Sequence, residues 1–145
     1  MIIDSQKRSF GKGSKVSLFT LGTMRATENL DKMYYIIKNA HFAGINHLET
    51  AASYGNAEVL IGEALKKLES SENLPRKDWI ITTKILPKGD LNYLKNNFKN
   101  SLKNLKFNKI NNLAIHGINL EEHLDWVLFG EGKKFLKWVI KKGLV

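Results

Sequence analysis

Apolar and polar positions along the chain switch repeatedly between two rhythms. Residues 16–21 form a mostly apolar run closed by Gly22, and they read as a first buried strand. Leu30, Met33, Ile37 and Ala40 then recur at three- and four-residue spacing. That is the stripe of an amphipathic helix, with Thr27 as its expected N-cap and Gly44 as its stop. The same alternation follows three more times. A strand over 45–50 leads through a turn at Tyr54, Gly55 and Asn56 to a helix with Ile61, Leu65 and Leu68 on one face. A strand over 79–84 precedes a break at Pro87–Gly89, and Asp90 is expected to cap a helix carrying Leu91, Leu94, Phe98, Leu102 and Leu105. A strand over 112–116 is followed by a short helix near 121–128, a break at Gly130 to Gly132, and a helix over 133–142 stopped by Gly143. Ahead of all this, Gly11 and Gly13 suit a turn between two short extended pieces in residues 7–13.

Four strand–helix units in strict alternation imply parallel strands with right-handed crossovers. No linker composition or repeat divides the chain, so residues 1–145 are expected to form a single α/β domain. Two architectures fit the pattern, a doubly wound sheet and an incomplete (β/α)8 barrel. The first strand–helix turn, Gly22-Thr23-Met24-Arg25, lacks the G-x-G-x-x-G fingerprint of dinucleotide-binding sheets, which leaves the barrel ahead with both still open.

Composition narrows the function classes. Apolar residues are 43% of the chain and only two are proline, which suits a packed core. Residues 1–4 have neither the basic nor the apolar region of a secretory signal, and no apolar run approaches the ~20 residues of a membrane span, so a cytoplasmic location without membrane contact is expected. The absence of cysteine excludes thiolate metal sites and an iron–sulfur cluster on this chain. The net charge of +9 raises the question of an anionic partner. Many of the lysines, among them Lys95, Lys99, Lys103, Lys133, Lys137 and Lys141, fall between apolar helix positions and are expected to face water. No basic strand interleaved with aromatics occurs, so a nucleic-acid partner is not expected.

Candidate chemistry collects at the strand ends. Residues two apart share a strand face. His47 with Glu49, Ile80 with Thr82 and Lys84, and Asn112 with Ala114 and His116 therefore form common sides. Each of these strands ends on an ionisable group, and Tyr54 follows in the turn after the second. In a (β/α)8 barrel this rim is where catalytic groups converge. A free phenol, with a pKa near ~10, is a reluctant proton donor at neutral pH. A lysine ammonium a few ångströms away favours the phenolate, a carboxylate holds the lysine, and an imidazole can hydrogen-bond a carbonyl oxygen. Taken singly, the lysine reads as a strand-edge charge, the Tyr-Gly pair as a turn, His47 as a barrel-interior side chain, and His41 and His123 as structural histidines.

The run Gly44-Ile45-Asn46-His47-Leu48-Glu49-Thr50-Ala51-Ala52-Ser53-Tyr54-Gly55, continuing through Glu58 to Ile61-Gly62-Glu63-Ala64-Leu65, resembles the aldo-keto reductase signature G-x-N-x-x-D-T-A-x-x-Y-G followed by an acidic residue and (I/L)-G-x-A-L. Leu21 to Met24 is similar to that family's first strand end. Ile81-Thr82-Thr83-Lys84 resembles its lysine-bearing third strand, and Leu113-Ala114-Ile115-His116 its histidine-bearing fourth.

The resemblance implies a TIM (β/α)8-barrel type fold truncated here to about four βα units, with a short N-terminal extended segment. It implies an oxidoreductase that reduces a small-molecule aldehyde or ketone with NADP(H) and no metal. By position, Tyr54 would be the general acid, Lys84 the cation beside it, His116 the group orienting the carbonyl, and Glu49 the partner of the lysine in place of the usual aspartate. Gly22, Thr23 and Met24 would approach the nicotinamide end of the cofactor. The extra methylene of Glu49 matters, because a misplacement near ~1 Å costs on the order of a hundredfold in rate. A branch of the family carries His-x-Glu-Thr here, some of it with an iron–sulfur module that this chain has no cysteines to hold. A complete barrel takes ~250 residues, and the other half is where the family holds most of its cofactor. The isolated chain is therefore expected to lack most of that site and not to be competent alone, to leave an apolar barrel-lining face bare, and either to self-associate through open sheet edges or to be poorly stable. The alternative is a non-catalytic remnant or binding module that keeps the fold.

Overall fold

A computed structural model describes residues 7–11 and 13–145. The opening residues 1–4, read above for a secretory signal, lie outside that description, as does Lys12 in the glycine turn. The chain forms β1 (Lys7–Arg8), β2 (Val16–Ser17), β3 (Thr20–Gly22), α1 (Leu30–Phe42), β4 (His47–Glu49), α2 (Ala57–Glu72), β5 (Ile80–Ile85), α3 (Leu91–Leu105), β6 (Asn112–Ile115), α4 (Glu121–Leu128) and α5 (Glu131–Lys141). β1 and β2 make a small antiparallel ribbon. β3, β4, β5 and β6 form one sheet in that order, with every pair parallel. The result is a partial (β/α) barrel of about four units.

The expected first strand is two strands. Ser17 is the cause: its hydroxyl donates to the Phe19 carbonyl at 2.6 Å, and its amide donates to Asn46 Oδ1 at 2.7 Å. A side chain that captures a nearby carbonyl draws the backbone out of the ladder. Leu18 and Phe19 are consequently turned outward, 59% and 74% exposed.

α1 begins later than its expected cap at Thr27. Asn29 takes the N-cap, its Oδ1 accepting from the Lys32 amide at 2.9 Å. Asp90 caps α3 as expected, accepting from the Tyr93 amide at 2.8 Å. Gly44 has φ of +74°, the conformation that ends α1.

The break expected at Gly130–Gly132 is confined to Gly130, the N-cap of α5. Gly132 lies inside that helix beneath the Trp126 ring, where a Cβ would come within 2.4 Å of Cε3. It permits close packing of α5 on α4.

The core lies between the helices and the outer sheet face. Met33, Ile37, Leu48, Ile61, Leu65, Leu68, Ile81, Ile85, Leu94, Phe98, Leu105 and Phe135 are its largest fully buried side chains. Leu48, Ile81 and Ile85 come from the strands; the rest come from one stripe each of α1, α2, α3 and α5. At Gly62 the backbones of α2 and α3 nearly touch, since a Cβ there would sit 2.2 Å from the Asn104 carbonyl oxygen.

The barrel-lining face differs from the bare apolar surface expected. Its middle layer is polar and tied together: Thr20 and Thr82 hydroxyls lie 2.9 and 2.8 Å from Nδ1 and Nε2 of His47, linking three strands. The layer is also covered from the strand beginnings, where the Phe10 ring packs 5.3 Å from His47. His47, Ile80 and Thr82 are all buried. Among the described residues no helix is long and apolar enough to cross a membrane.

Candidate active site

The parallel register fixes which side chains meet at the strand ends. Gly22 pairs with Glu49, Glu49 with Thr82, and Lys84 with Ala114. The ladder continues past the formal strands: the Thr50 amide donates to the Thr82 carbonyl, Ala52 to Lys84, and His116 to Ile85, at 2.9, 3.2 and 2.7 Å. The turn carrying Tyr54 is therefore bonded to β5, and the start of the loop after β6 is bonded to it from the other side. The Tyr54 amide closes the turn on the Ala51 carbonyl at 3.0 Å.

Lys84 stands at the centre. Its side chain is 11% exposed, and Nζ lies 3.2 Å from Glu49 Oε1. Nζ also donates to the Thr50 carbonyl at 3.1 Å and to Tyr54 Oη at 3.0 Å. Two of the three donors of the ammonium are thus hydrogen-bonded, and Glu49 faces it as an ion pair. One consequence concerns the phenol. Tyr54 Oη accepts from Lys84, so its own proton is free to point away from the lysine, toward the open rim. The lysine also lies 4.7 Å from the Tyr54 ring centroid.

His116 completes the cluster. Its ring meets that of Tyr54 edge to face, 5.4 Å between centroids at 85°. Burial first, and the Lys84 cation second, hold its pKa below the usual histidine value, with Glu49 opposing. A neutral ring is the form that can offer one N–H donor and one acceptor. Its Nδ1 lies 3.0 Å from Ser53 Oγ.

Glu49, Tyr54, Lys84 and His116 are thus brought together within one hydrogen-bonded or ring-contact cluster. The three residues expected at the nicotinamide end behave differently from one another. Gly22 leaves open space, for a Cβ there would meet nothing within 4 Å, and Met24 is 55% exposed. Thr23 is fully buried, and both its hydroxyl and its amide donate to the Glu49 carbonyl, at 3.0 and 3.2 Å. Its hydroxyl braces the backbone under Glu49. An exposed methionine beside an open glycine fits the flat nicotinamide end of the expected cofactor.

Several participants escaped the sequence reading. The Thr50 carbonyl is one, because a backbone acceptor carries no residue signature. Ser53 is another, at a position the motif leaves open. The pair Glu58–Thr83 is a third: the Thr83 hydroxyl donates to Glu58 Oε1 at 2.7 Å in the buried space between α2 and β5. Glu58 was visible as the acidic residue of the motif, but nothing in the sequence announced its partner.

Comparison with known proteins accords with this geometry. A family model described as "Aldo/keto reductase family" matches residues 19–145. The chain is 39% identical over 74 residues to aldo-keto reductase family 1 member A1 of Mus musculus, a match spanning 50% of this chain and 22% of that protein. It is 39% identical over 85 residues to aldose reductase of Encephalitozoon cuniculi, spanning 59% of this chain and 27% of that one. Among solved structures, an aldo-keto reductase from Bacillus halodurans in its holo form superposes with a TM-score of 0.78 at 25% identity, over 96% of this chain and 47% of that chain. The matches thus take in about a quarter of the two sequence relatives and about half of the solved one. With a family model over most of its length and that family's fold around the strand-end cluster, this chain belongs to the aldo/keto reductase family.

Proposed function

We propose that the chain takes part in the reduction of an aldehyde or ketone, with Tyr54 as general acid and NADP(H) as the source of hydride. The single observation that carries this reading is the convergence of Tyr54 Oη, Glu49 Oε1 and the Thr50 carbonyl on Lys84 Nζ.

In this reading the carbonyl oxygen of the substrate meets the Tyr54 hydroxyl and the His116 imidazole at the open rim. NADP(H), when bound, would supply hydride; Gly22 and Met24 would hold its nicotinamide end, and Thr23 fixes the backbone beneath. Tyr54 transfers its proton to the oxygen on which charge develops. The phenolate left behind is stabilised by the ammonium 3.0 Å away. Glu49 and the Thr50 carbonyl hold the ammonium in place and stop it from turning toward the substrate. Neutral His116 orients the carbonyl by donating a hydrogen bond.

The test pairs NADPH titration of the purified chain by fluorescence, with the mass of the species in solution recorded, and carbonyl reduction by wild type and Tyr54→Phe in a version that completes the barrel. The substitution is expected to abolish reduction and leave NADPH affinity nearly unchanged, because the phenol acts on the substrate oxygen alone. A phenylalanine variant that kept most of the rate would remove Tyr54 from the role of acid. The recorded mass reports whether a second copy takes part.

A further inference from the structure

We propose that Ser53 is a positioning residue for this reaction: its hydroxyl donates to His116 Nδ1, so that the imidazole presents Nε2–H to the substrate oxygen. The inference rests on the function proposed above and adds a residue at one of the positions the family signature leaves open.

Both partners are held from the backbone. Ser53 sits in the turn fixed by the Ala52 amide on the Lys84 carbonyl and the Tyr54 amide on the Ala51 carbonyl. His116 is fixed by its amide on the Ile85 carbonyl and by the edge-to-face contact with Tyr54. These supports bring two residues 63 positions apart to an Oγ to Nδ1 distance of 3.0 Å. The serine is thus set on the histidine by the same ladder that sets Tyr54 on Lys84.

The direction of the hydrogen bond follows from what the ring must do. A neutral imidazole has one N–H and one lone pair. If Nδ1 carried the proton and donated to Ser53, Nε2 would face the substrate with a lone pair, against the lone pairs of a carbonyl oxygen. If Ser53 donates instead, Nδ1 is the acceptor and the proton resides on Nε2, where it meets that oxygen. A serine hydroxyl rotates freely enough to take the donor role. The bond also selects one of the two ring orientations related by a flip, which alternate nitrogen and carbon at the same place.

The experiment uses long-range proton–nitrogen correlation spectra of the nitrogen-15-labelled chain, in which the two ring nitrogens of each of the four histidines are resolved. Wild type is expected to show His116 neutral with the proton on Nε2. Ser53→Ala is expected to move the two His116 shifts toward each other, as the tautomers mix, and Ser53→Thr to restore their separation. In the reduction assay Ser53→Ala should lower kcat by about five- to tenfold, the range expected for losing one such hydrogen bond, with NADPH affinity unchanged and the threonine variant recovering the rate. A proton on Nδ1 in wild type, or spectra and rate indifferent to Ser53→Ala, would overturn the proposal. Failure of the reductase reading is seen separately: Tyr54→Phe leaves the ring contact and the Ser53–His116 bond in place, so its rate reports on the acid alone.

Discussion

The buried bond between Thr83 and Glu58 gives the sharpest stability prediction. Thr83 is fully buried and Glu58 is 3% exposed, and the hydroxyl donates to the carboxyl at 2.7 Å. Thr83→Val keeps the shape of the side chain and removes only the donor, so no cavity opens. What is lost is a hydrogen bond to an acidic group, worth about 1.5–3 kcal/mol, with the acceptor left in a space that water does not reach. We expect a loss of about 2 kcal/mol, and with about 3 °C per kcal/mol for a chain of this size Tm falls by about 6 °C. Urea and thermal unfolding followed by circular dichroism measure both. Replacing both partners, Glu58→Met with Thr83→Val, should recover at least about 1 kcal/mol relative to Thr83→Val alone, because an apolar pair leaves nothing unsatisfied. A single-variant cost under about 0.5 kcal/mol, or a double variant as unstable as the sum of the singles, would refute the reasoning.

Two further predictions concern parts of the fold where a competing assignment exists. Asn29→Ala should cost about 1 kcal/mol while Thr27→Ala stays near zero, since only Asn29 accepts from a free amide of α1; equal costs in urea unfolding would return the cap to Thr27. Stability should also decline as pH falls from about 6.5, the ordinary histidine value. Burial lowers the pKa of His47, and burial together with Lys84 lowers that of His116, so below that pH the unfolded chain takes up protons that the folded chain refuses. The contribution is complete above about 6.5 and is lost as pH falls through the folded-state values. A urea midpoint constant from pH 7.5 to 5.5 would contradict it.

The parts of this molecule legible in its sequence are those governed by period. Three- and four-residue spacing placed Met33, Ile37, Leu65, Leu94 and Phe98 in the core, where they are fully buried. Two-residue spacing put Glu49, Lys84 and His116 on the side of the sheet that carries the cluster, because parallel pairing preserves that period from strand to strand. What stayed hidden depended on single hydrogen bonds or on close approach. Ser17 splits a run whose pattern is mostly apolar. Thr27 and Asn29 are both acceptable caps by residue type, and only the path of the chain chooses between them. Gly132 looks like any helix breaker until the Trp126 ring is placed above it. The polar middle of the barrel-lining face was legible only in part: His47 reads as a barrel-interior side chain, but its bonds to Thr20 and Thr82 across three strands carry no residue signature.

Gly62 has a consequence beyond packing density. In a strand-and-helix wall, the outer helices are wider than the strands they cover, so the gap between neighbouring helices sets how sharply the sheet turns beneath them. α2 and α3 flank β5, the strand that bears Lys84, and they meet with almost no spacer. Any side chain at position 62 would meet the α3 backbone and force the two helices apart over the strand that bears Lys84. A residue buried on the outside of the wall thereby sets the spacing of the two helices that back a rim it never touches.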